Sequence, residues 1–193
     1  MSTTEFFYNR FSFLYPLVDI FLRPQKKALV AEINRLPEGD LLDIGVGNGA
    51  QITLYKKHKI TGIDTSEAML EIARKRNRAI NLLRMNGEAL SFANESFDYV
   101  VLSHVIAVID NPDRLLEEVF RVLRPDGRVL ILNHFTPDNW LRHLDRSFSP
   151  FSKALHFKSV FRADELKTLN KFLLVKEVHF TLSYFKLLIF LKK

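Results

Sequence analysis

The chain has 193 residues, which is enough for one domain with a proper hydrophobic core and leaves little room for a second. Hydrophobic residues make up 47% and charged residues 26%, a balance that is typical of a folded globular protein and excludes a disordered one. The absence of cysteine excludes a disulfide framework, a thiolate zinc site and a cysteine nucleophile, so we expect a cytoplasmic protein. The net charge of +6 favours an anionic partner, which the charge leaves open as nucleic acid, an acidic substrate or an anionic membrane surface.

The residues before Asp40 predict two or three helices, broken at Pro16 and Pro24. Many of the 17 phenylalanines lie in the first 22 residues or the last 45. No apolar run approaches the roughly 18 to 20 residues that are needed to span a bilayer, and the first residues lack a signal-peptide pattern. We therefore expect a protein that is dissolved in the cytoplasm or peripheral on the inner face of the membrane.

From Asp40 onward, short apolar runs alternate with helical stretches, and this pattern predicts a parallel sheet with crossover helices. In the helix predicted over residues 66–78 we expect Met69, Ile72 and Ala73 on one face. Asn111 is a good N-cap for the helix predicted over residues 112–123. The predicted strands are 41–44, 60–63, 81–85, 99–102 and 129–132, and the predicted helices are 66–78 and 112–123, with a turn at 125–127.

After Asn133 the pattern changes to a polar and aromatic stretch that extends to about residue 161. A short helix is predicted over residues 163–170, followed by strands over 173–180 and 185–191. Because the connection between these two strands is short, we expect them to form an antiparallel pair that closes the sheet.

A glycine-rich loop follows the first predicted strand, with the sequence Asp43-Ile44-Gly45-Val46-Gly47-Asn48-Gly49. Glycines at such a position permit positive φ angles and let backbone N–H groups approach a ligand closely. A strand precedes the loop, a helix follows it, and an acid, Asp64, ends the next strand, where it can accept hydrogen bonds from ribose hydroxyls. The pattern therefore predicts a site for a nucleoside cofactor.

The spacing of this loop resembles motif I of class I S-adenosylmethionine-dependent methyltransferases and differs from the Gly-x-Gly-x-x-Gly of dehydrogenases. The resemblance extends in order over residues 38–134. Its further motifs are Gly62-Ile63-Asp64-Thr65-Ser66-Glu67-Ala68-Met69, Asn86-Gly87-Glu88-Ala89-Leu90-Ser91-Phe92, Phe97-Asp98-Tyr99-Val100-Val101-Leu102-Ser103 and Arg121-Val122-Leu123-Arg124-Pro125-Asp126-Gly127-Arg128-Val129.

The resemblance implies a Rossmann-like doubly wound α/β fold with a mostly parallel seven-stranded sheet, an antiparallel C-terminal strand pair and N-terminal lid helices. The single domain would comprise lid helices (1–38), a cofactor-binding core (39–134) and a substrate insert with closing strands (135–193). The implied cofactor is S-adenosyl-L-methionine, and no metal is expected. Its expected contacts are Asp43, Gly45, Gly47, Asn48, Gly49, Asp64, Thr65, Met69, Asn86, Gly87, Glu88, Ala89, Ser103 and His104.

Two positions within these motifs have particular consequences. The resemblance places Asp43 near the methionine end of the cofactor. The family usually has Asp where this chain has Asn86, the position that accepts a hydrogen bond from the adenine amino group. An asparagine still offers a carbonyl oxygen for this bond, and the alternative is that Asn86 only forms a turn at the strand end.

The N-terminal segment Tyr8-Asn9-Arg10-Phe11-Ser12-Phe13-Leu14-Tyr15 partly resembles the opening of lipid and small-molecule methyltransferases. These include bacterial phosphatidylethanolamine N-methyltransferases and the ubiquinone/menaquinone-biosynthesis family. The resemblance implies that Tyr8 and Tyr15 belong to a lid over the methionine moiety and the substrate. The segment Leu132-Asn133-His134 is similar to the end of strand five in the phosphatidylethanolamine enzymes. Apolar residues beside Arg10, Arg23, Lys26 and Lys27 suit an anionic membrane interface, although a core-covering helix pair or a dimer contact would have the same composition.

These features favour N-methylation of a phospholipid amine, with O- or C-methylation of a quinone precursor or another small molecule as the alternative. No Asn/Asp-Pro-Pro-Tyr/Phe box follows strand four, so a nucleic-acid acceptor is disfavoured. If the acceptor is an ammonium, His104 or His134 could take its proton. Basic residues of the insert, Arg142, Arg146, Lys153 and Lys158, are candidate phosphate contacts. A non-catalytic nucleoside-binding protein is the alternative from a different class.

Overall fold

The computed structural model describes residues 15–77, 79–134, 166–180 and 185–193, and of residues 15–23 and 134 it describes the backbone alone. The insert predicted after strand five and the first fourteen residues lie outside these ranges. The helices are α1 (Tyr15–Arg35), α2 (Glu67–Arg76) and α3 (Pro112–Val122). The strands are β1 (Asp40–Ile44), β2 (Lys59–Asp64), β3 (Asn81–Arg84), β4 (Phe97–Ser103), β5 (Leu123–His134), β6 (Phe172–His179) and β7 (Phe185–Lys192).

The strands form one seven-stranded sheet in the order β3-β2-β1-β4-β5-β7-β6. Strands β1 to β5 pair in parallel, whereas β7 is antiparallel to both β5 and β6. The chain winds outward from β1 to β3, returns to β4 beside β1 and winds the other way, so the order reverses between β1 and β4. Ligands of open α/β sheets bind at such a reversal, outside the carboxyl ends of the strands. The predicted Rossmann-like fold and its antiparallel closing pair are confirmed.

Both faces of the sheet are covered, as a parallel sheet requires. On one face the α3 side chains of Leu115, Leu116, Val119 and Val122 are fully buried. On the other face α1 and α2 pack against the sheet through residues that include Leu29, Ile33, Leu70 and Ala73. The buried face of α2 consists of Met69, Leu70 and Ala73. The prediction that Ile72 belongs to this face is wrong, because Leu70 occupies the sheet side and Ile72 is 41% exposed.

The prediction of a helix break at Pro24 is also wrong. Helix α1 continues from Tyr15 to Arg35 with Pro24 inside it. A proline in a helix interior removes one i→i−4 hydrogen bond, but buried contacts can outweigh this loss. Leu29 and Ile33, which follow the proline in the same helix, are fully buried against the sheet and supply such contacts. Among the described residues, no helix is both long and apolar enough to cross a membrane.

Two further boundaries differ from the sequence-based prediction. The described part of the predicted helix over 163–170 is a 3₁₀ turn, Lys167–Lys171, which the start of β6 at Phe172 cuts short. Strand β5 begins at Leu123 and includes the predicted turn at 125–127 as an irregularity, because Leu123 pairs with Phe97 and pairing resumes between Arg128 and Tyr99. Asp126 has a φ of 61° within this irregularity.

Candidate cofactor and active site

The glycine loop leaves the carboxyl end of β1, at the point where the strand order reverses. Its three glycines, Gly45, Gly47 and Gly49, all have positive φ angles, of 74°, 52° and 73°. The loop is fixed to the neighbouring strand, because the backbone N–H groups of Gly45 and Val46 both donate to the carbonyl of Ile63, over 2.8 and 3.1 Å. The loop backbone therefore has a conformation that favours glycine at these three positions.

The space around the three glycines differs. A Cβ on Gly45 would lie 2.5 Å from Val105, and a Cβ on Gly49 would lie 2.7 Å from the side chain of Ala73. A Cβ on Gly47 would meet no atom within 4 Å. Neighbouring side chains of the protein therefore leave no room for a Cβ at Gly45 or Gly49. At Gly47 the space is open, and a ligand can approach the loop there. Asn48 braces the loop by accepting from the Ala50 N–H at 3.1 Å and from the Arg76 guanidinium at 3.3 Å.

Asp64 connects the end of β2 to the glycine loop. One carboxylate oxygen accepts from the Gly47 N–H at 2.8 Å, and the other accepts from the Ser66 N–H at 2.9 Å. Burial raises the pKa of Asp64, while the backbone hydrogen bonds lower it. Each oxygen retains an acceptor site for a ligand hydroxyl. Of the two neighbouring candidates, Thr65 is exposed and Met69 is buried in the first turn of α2.

Asp43 is 2% exposed and lies at the end of a hydrogen-bonded chain of side chains. The Tyr55 hydroxyl donates to the Asp43 carboxylate at 2.8 Å, and the Gln51 amide donates to the Tyr55 oxygen at 2.6 Å. The Ser103 hydroxyl donates to the Gln51 carbonyl oxygen at 3.2 Å. Burial raises the pKa of Asp43 to about 7, although the Tyr55 hydrogen bond and the positive charge of Lys26 lower it and the charge of Asp64 raises it slightly. The chain links the start of the glycine loop to the end of β4.

The segment after β3 is held by α3. Asn86 accepts from the Glu88 N–H at 3.0 Å, so its side chain forms a local turn, and Glu88 accepts from the Asn111 N–H at 2.9 Å. Gly87 is closely packed, because a Cβ there would lie 2.8 Å from Leu115, whereas Ala89 is exposed. Further along, Arg121 donates to the carbonyls of Leu90 and Phe92, and Glu118 accepts from the Leu90 N–H. The turn bond of Asn86 leaves its amide oxygen room for a second donor.

The carboxyl ends of β4 and β5 bring the two candidate histidines to the same edge of the sheet. His104 follows β4 with a φ of 61°, and its N–H donates to the carbonyl of Leu132 at 2.8 Å. His134 is the last residue of β5 and pairs with Phe185 of β7. The Phe185 ring packs edge-on against the His104 ring, with centroids 5.3 Å apart. Tyr8 and the side chains of Tyr15 and His134 lie outside the described part of the chain, as do Arg142, Arg146, Lys153 and Lys158.

Comparisons with known proteins decide the class of this site. Residues 42–131 match the family model described as a methyltransferase domain. The chain is 33% identical over 136 residues to a phosphatidylethanolamine N-methyltransferase of Cereibacter sphaeroides, an alignment that covers 66% of this chain and 67% of the relative. This chain belongs to the class I S-adenosylmethionine-dependent methyltransferases.

The methyltransferase is also 31% identical to a ubiquinone/menaquinone biosynthesis C-methyltransferase of Geotalea daltonii, over 66% of this chain and 60% of that relative. Its fold is similar to the crystal structure of an S-adenosylmethionine-dependent methyltransferase from Thermotoga maritima, with a TM-score of 0.74 and 24% identity. That superposition covers 98% of this chain and 100% of the other. The protein is therefore an enzyme, and its cofactor is S-adenosyl-L-methionine.

The residues at the end of the sheet fit this cofactor. The loop leaves open space only above Gly47 among its three glycines, and acids stand at the ends of both β1 and β2. A cofactor that carries a cationic sulfonium and a ribose diol requires such acceptors. Within the described ranges, no group of three or more His, Asp or Glu side chains is arranged to hold a metal ion.

Sequence reasoning missed four residues of this region: Gln51, Tyr55, Glu118 and Phe185. Tyr55 lies twelve positions after Asp43, and they meet because the 3₁₀ turn Ile52–Leu54 folds the chain back toward β1. Phe185 reaches His104 only because β7 inserts beside β5. Such contacts depend on tertiary packing, and no fixed spacing in the sequence indicates them. Glu118 was detectable in part, because an acid on the buried face of an amphipathic helix requires a partner.

Proposed function

We propose that this methyltransferase N-methylates the amine head group of a phospholipid of the phosphatidylethanolamine type at a membrane surface. The similarity to the phosphatidylethanolamine N-methyltransferase of Cereibacter sphaeroides is the observation that carries the proposal. The two histidines at adjacent strand ends support it, because an ammonium head group must lose a proton before its nitrogen can act as a nucleophile.

In this proposal, the open backbone at Gly47 contacts the cofactor, and Asp64 accepts from the ribose hydroxyls while it holds the loop. Asn86 accepts from the adenine amino group, and the segment from Gly87 to Ala89 borders the ring. The bound cofactor supplies an electrophilic methyl group on its sulfonium. The protein then mainly has to align the acceptor nitrogen with that methyl group and exclude water, which can lower the barrier by several kcal/mol without a covalent intermediate.

We assign to His104 the role of the general base that removes the proton from the acceptor nitrogen. His134 is its neighbour at the same edge of the sheet. The backbone of His104 is fixed by its bond to Leu132, and its ring is packed against Phe185, so the imidazole is oriented before the substrate arrives. A positioned general base typically contributes a factor of roughly 10² to 10⁴ to the rate. We therefore expect His104→Gln to lower kcat within about this range and to raise the cofactor Kd by a much smaller factor, because the glycine loop and Asp64 are unchanged.

The lipid would be approached through the N-terminal residues and the insert. Tyr8 and Tyr15 are proposed as lid residues over the methionine end, and the basic residues of the insert, Arg142, Arg146, Lys153 and Lys158, as contacts to the lipid phosphate. The apolar residues of the first 22 positions, together with Arg10 and Arg23, would bind an anionic membrane surface. A lipid acceptor would then reach the active site laterally from the bilayer.

The acceptor is tested by incubating the enzyme with methyl-labelled S-adenosylmethionine and separate preparations of phosphatidylethanolamine vesicles, a quinol precursor and RNA. We expect label in the phosphatidylethanolamine fraction alone. The matched control is Gly47→Val, which should transfer no label to any acceptor because the open space above the loop is filled. Label in the quinol precursor and none in the lipid would overturn the phospholipid assignment.

A quinone precursor is the second candidate acceptor, and the similarity to the C-methyltransferase of Geotalea daltonii favours it. Methylation at a ring carbon or at a phenolic oxygen would also require removal of a proton, so the histidine pair is compatible with this reaction. The label experiment distinguishes the two candidates directly.

A further inference from the structure

We propose that Tyr55 and Gln51 are positioning residues of the cofactor site, which hold the Asp43 carboxylate toward the cationic end of the cofactor and link it to Ser103. This inference depends on S-adenosyl-L-methionine being the cofactor, and it does not depend on which acceptor the enzyme methylates. It concerns two residues that the glycine-loop motif does not include.

The hydrogen bonds between these four side chains all run in one donor-to-acceptor direction. Ser103 donates to Gln51, Gln51 donates to Tyr55, and Tyr55 donates to Asp43, so every hydrogen bond ends at the carboxylate. Gln51 uses both ends of its amide group, one as donor and one as acceptor, which fixes its orientation. Because these hydrogen bonds end at a carboxylate oxygen that only accepts, they stabilise the anionic form of Asp43 and oppose the rise in its pKa that burial causes.

The position of Asp43 makes this anion useful. Asp43 lies one residue before the end of β1, and Gly45, the first glycine of the loop, is two residues after it. Asp64, the other acid at this edge, already accepts two loop N–H groups and lies at the end of β2, where ribose hydroxyls are bound in Rossmann-type sheets. The resemblance to motif I places Asp43 near the methionine end of the cofactor, where a buried carboxylate would face the positive charge.

The same contacts make cofactor affinity depend on pH. Burial raises the pKa of Asp43 to about 7, and the Tyr55 hydrogen bond opposes that rise. The charged groups that act on Asp43 are Lys26 of α1, which favours the anion, and Asp64 of β2, which disfavours it. A cation binds the anionic form more tightly, so affinity for S-adenosylmethionine should increase as pH rises through 7, and binding near that pH should release protons.

The experiment is isothermal titration calorimetry of S-adenosylmethionine into the full chain between pH 5.5 and 9. For Tyr55→Phe, the ring remains but its hydroxyl is lost, so we expect the midpoint of the affinity–pH curve to move upward. Affinity should fall roughly tenfold at pH 7 and recover much of that loss at pH 9. Leu54→Ala is the matched control, because this exposed side chain lies on the same 3₁₀ turn and takes no part in the hydrogen-bonded chain.

Two further measurements keep the proposal testable if Tyr55→Phe is poorly folded. Gln51→Leu should move the midpoint in the same direction by a smaller amount. In buffers of different ionisation enthalpy, the wild type should release protons on binding near pH 7, and Asp43→Asn should release fewer. An equal loss of affinity at every pH, or an unchanged curve in both variants, would show that Tyr55 and Gln51 act only in packing.

Discussion

At Gly47 the protein leaves room for a side chain, so a substitution there tests contact with the ligand more than packing of the fold. A valine at this position should abolish cofactor binding, because its side chain would occupy the open space above the loop. The folded state should survive, at a cost of about 1–2 kcal/mol for a β-branched residue at a φ of 52°. Calorimetry measures the binding, and thermal unfolding monitored by circular dichroism measures the stability.

Gly49→Val is the contrasting variant, because a Cβ at Gly49 would collide with Ala73 of α2 at 2.7 Å. This substitution should lower the melting temperature far more than Gly47→Val does. If Gly47→Val binds S-adenosylmethionine as the wild type does, the loop does not contact the cofactor, and the assignment of the open space is wrong.

Asp64 serves both the loop and the expected ribose contact, and its variants should separate these roles. Asp64→Ala removes the acceptor for the Gly47 and Ser66 N–H groups together with the acceptor for the ribose, so affinity should fall by roughly 1.5 to 3 kcal/mol. Asp64→Asn keeps one acceptor oxygen, so we expect a smaller loss of affinity. The measurement is the Kd for S-adenosylmethionine, and an unchanged Kd in the alanine variant would contradict the prediction.

The raised pKa of Asp43 predicts how stability without cofactor depends on pH. The pKa rises from 3.8 in the unfolded chain to about 7 in the fold, so the folded state holds the extra proton between these values. Stability from this group is therefore present below pH 3.8 and is lost as pH rises to 7, by an amount of the order of a few kcal/mol.

Urea unfolding at pH 5 and pH 8 tests this sign. Between the two pH values, the wild type should lose more stability than Asp43→Asn, in which the titrating group is absent. An equal change in both proteins would show that burial does not raise the pKa of this carboxyl.

Helix α3 fixes the segment that is expected to border the adenine, although the helix itself need not touch the cofactor. Arg121 donates to the carbonyls of Leu90 and Phe92, and it also pairs with Glu118, which accepts from the Leu90 N–H. Arg121→Ala would leave these groups without their partner, so we expect a loss of about 2–3 kcal/mol in stability and weaker cofactor binding. Hydrogen exchange should show faster opening at Leu90.

Glu117→Ala is the control for this element. Glu117 is an exposed residue of the same helix whose carboxylate pairs with Arg114 at 3.4 Å, and exposed ion pairs contribute little. If Arg121→Ala changes hydrogen exchange at Leu90 no more than Glu117→Ala does, α3 does not fix the segment.

The sequence predicted most elements of the fold and part of the site, and the failures have physical causes. Short apolar runs indicated β1 to β5, and Asn111 indicated the N-cap of α3. The helix predicted directly after the glycine loop is only the 3₁₀ turn Ile52–Leu54. The pattern failed at Pro24, where buried contacts further along α1 outweigh a local rule. It also failed to indicate Gln51 and Tyr55, because their roles arise only when a 3₁₀ turn brings them to Asp43.

For the molecule as a whole, we predict reversible binding to anionic membranes through the first 22 residues, which are rich in Phe and Leu and have basic residues nearby in the sequence. Co-sedimentation with vesicles that contain phosphatidylglycerol should be strong at low salt and should weaken as salt rises, because the attraction acts through a screened surface potential. Cofactor affinity depends on short-range contacts, so it should change far less over the same series.

Charge reversal provides the matched control for this prediction. Arg10→Glu combined with Arg23→Glu should abolish sedimentation with the vesicles. Lys75→Glu, which changes an exposed lysine of α2, should leave most of it intact. If the unaltered protein stays in the supernatant at low salt, the membrane proposal is wrong and a water-soluble acceptor is the better hypothesis.

The position of β7 has a consequence for the synthesis of this protein. Although β6 precedes β7 in the chain, β7 lies between β5 and β6 in the sheet. A nascent chain that has not yet reached Phe185 therefore exposes the unpaired backbone edge of β5, a template for association with other chains. Completion of the sheet during translation must wait for β7, and until then a chaperone that covers exposed strand edges would protect the edge of β5.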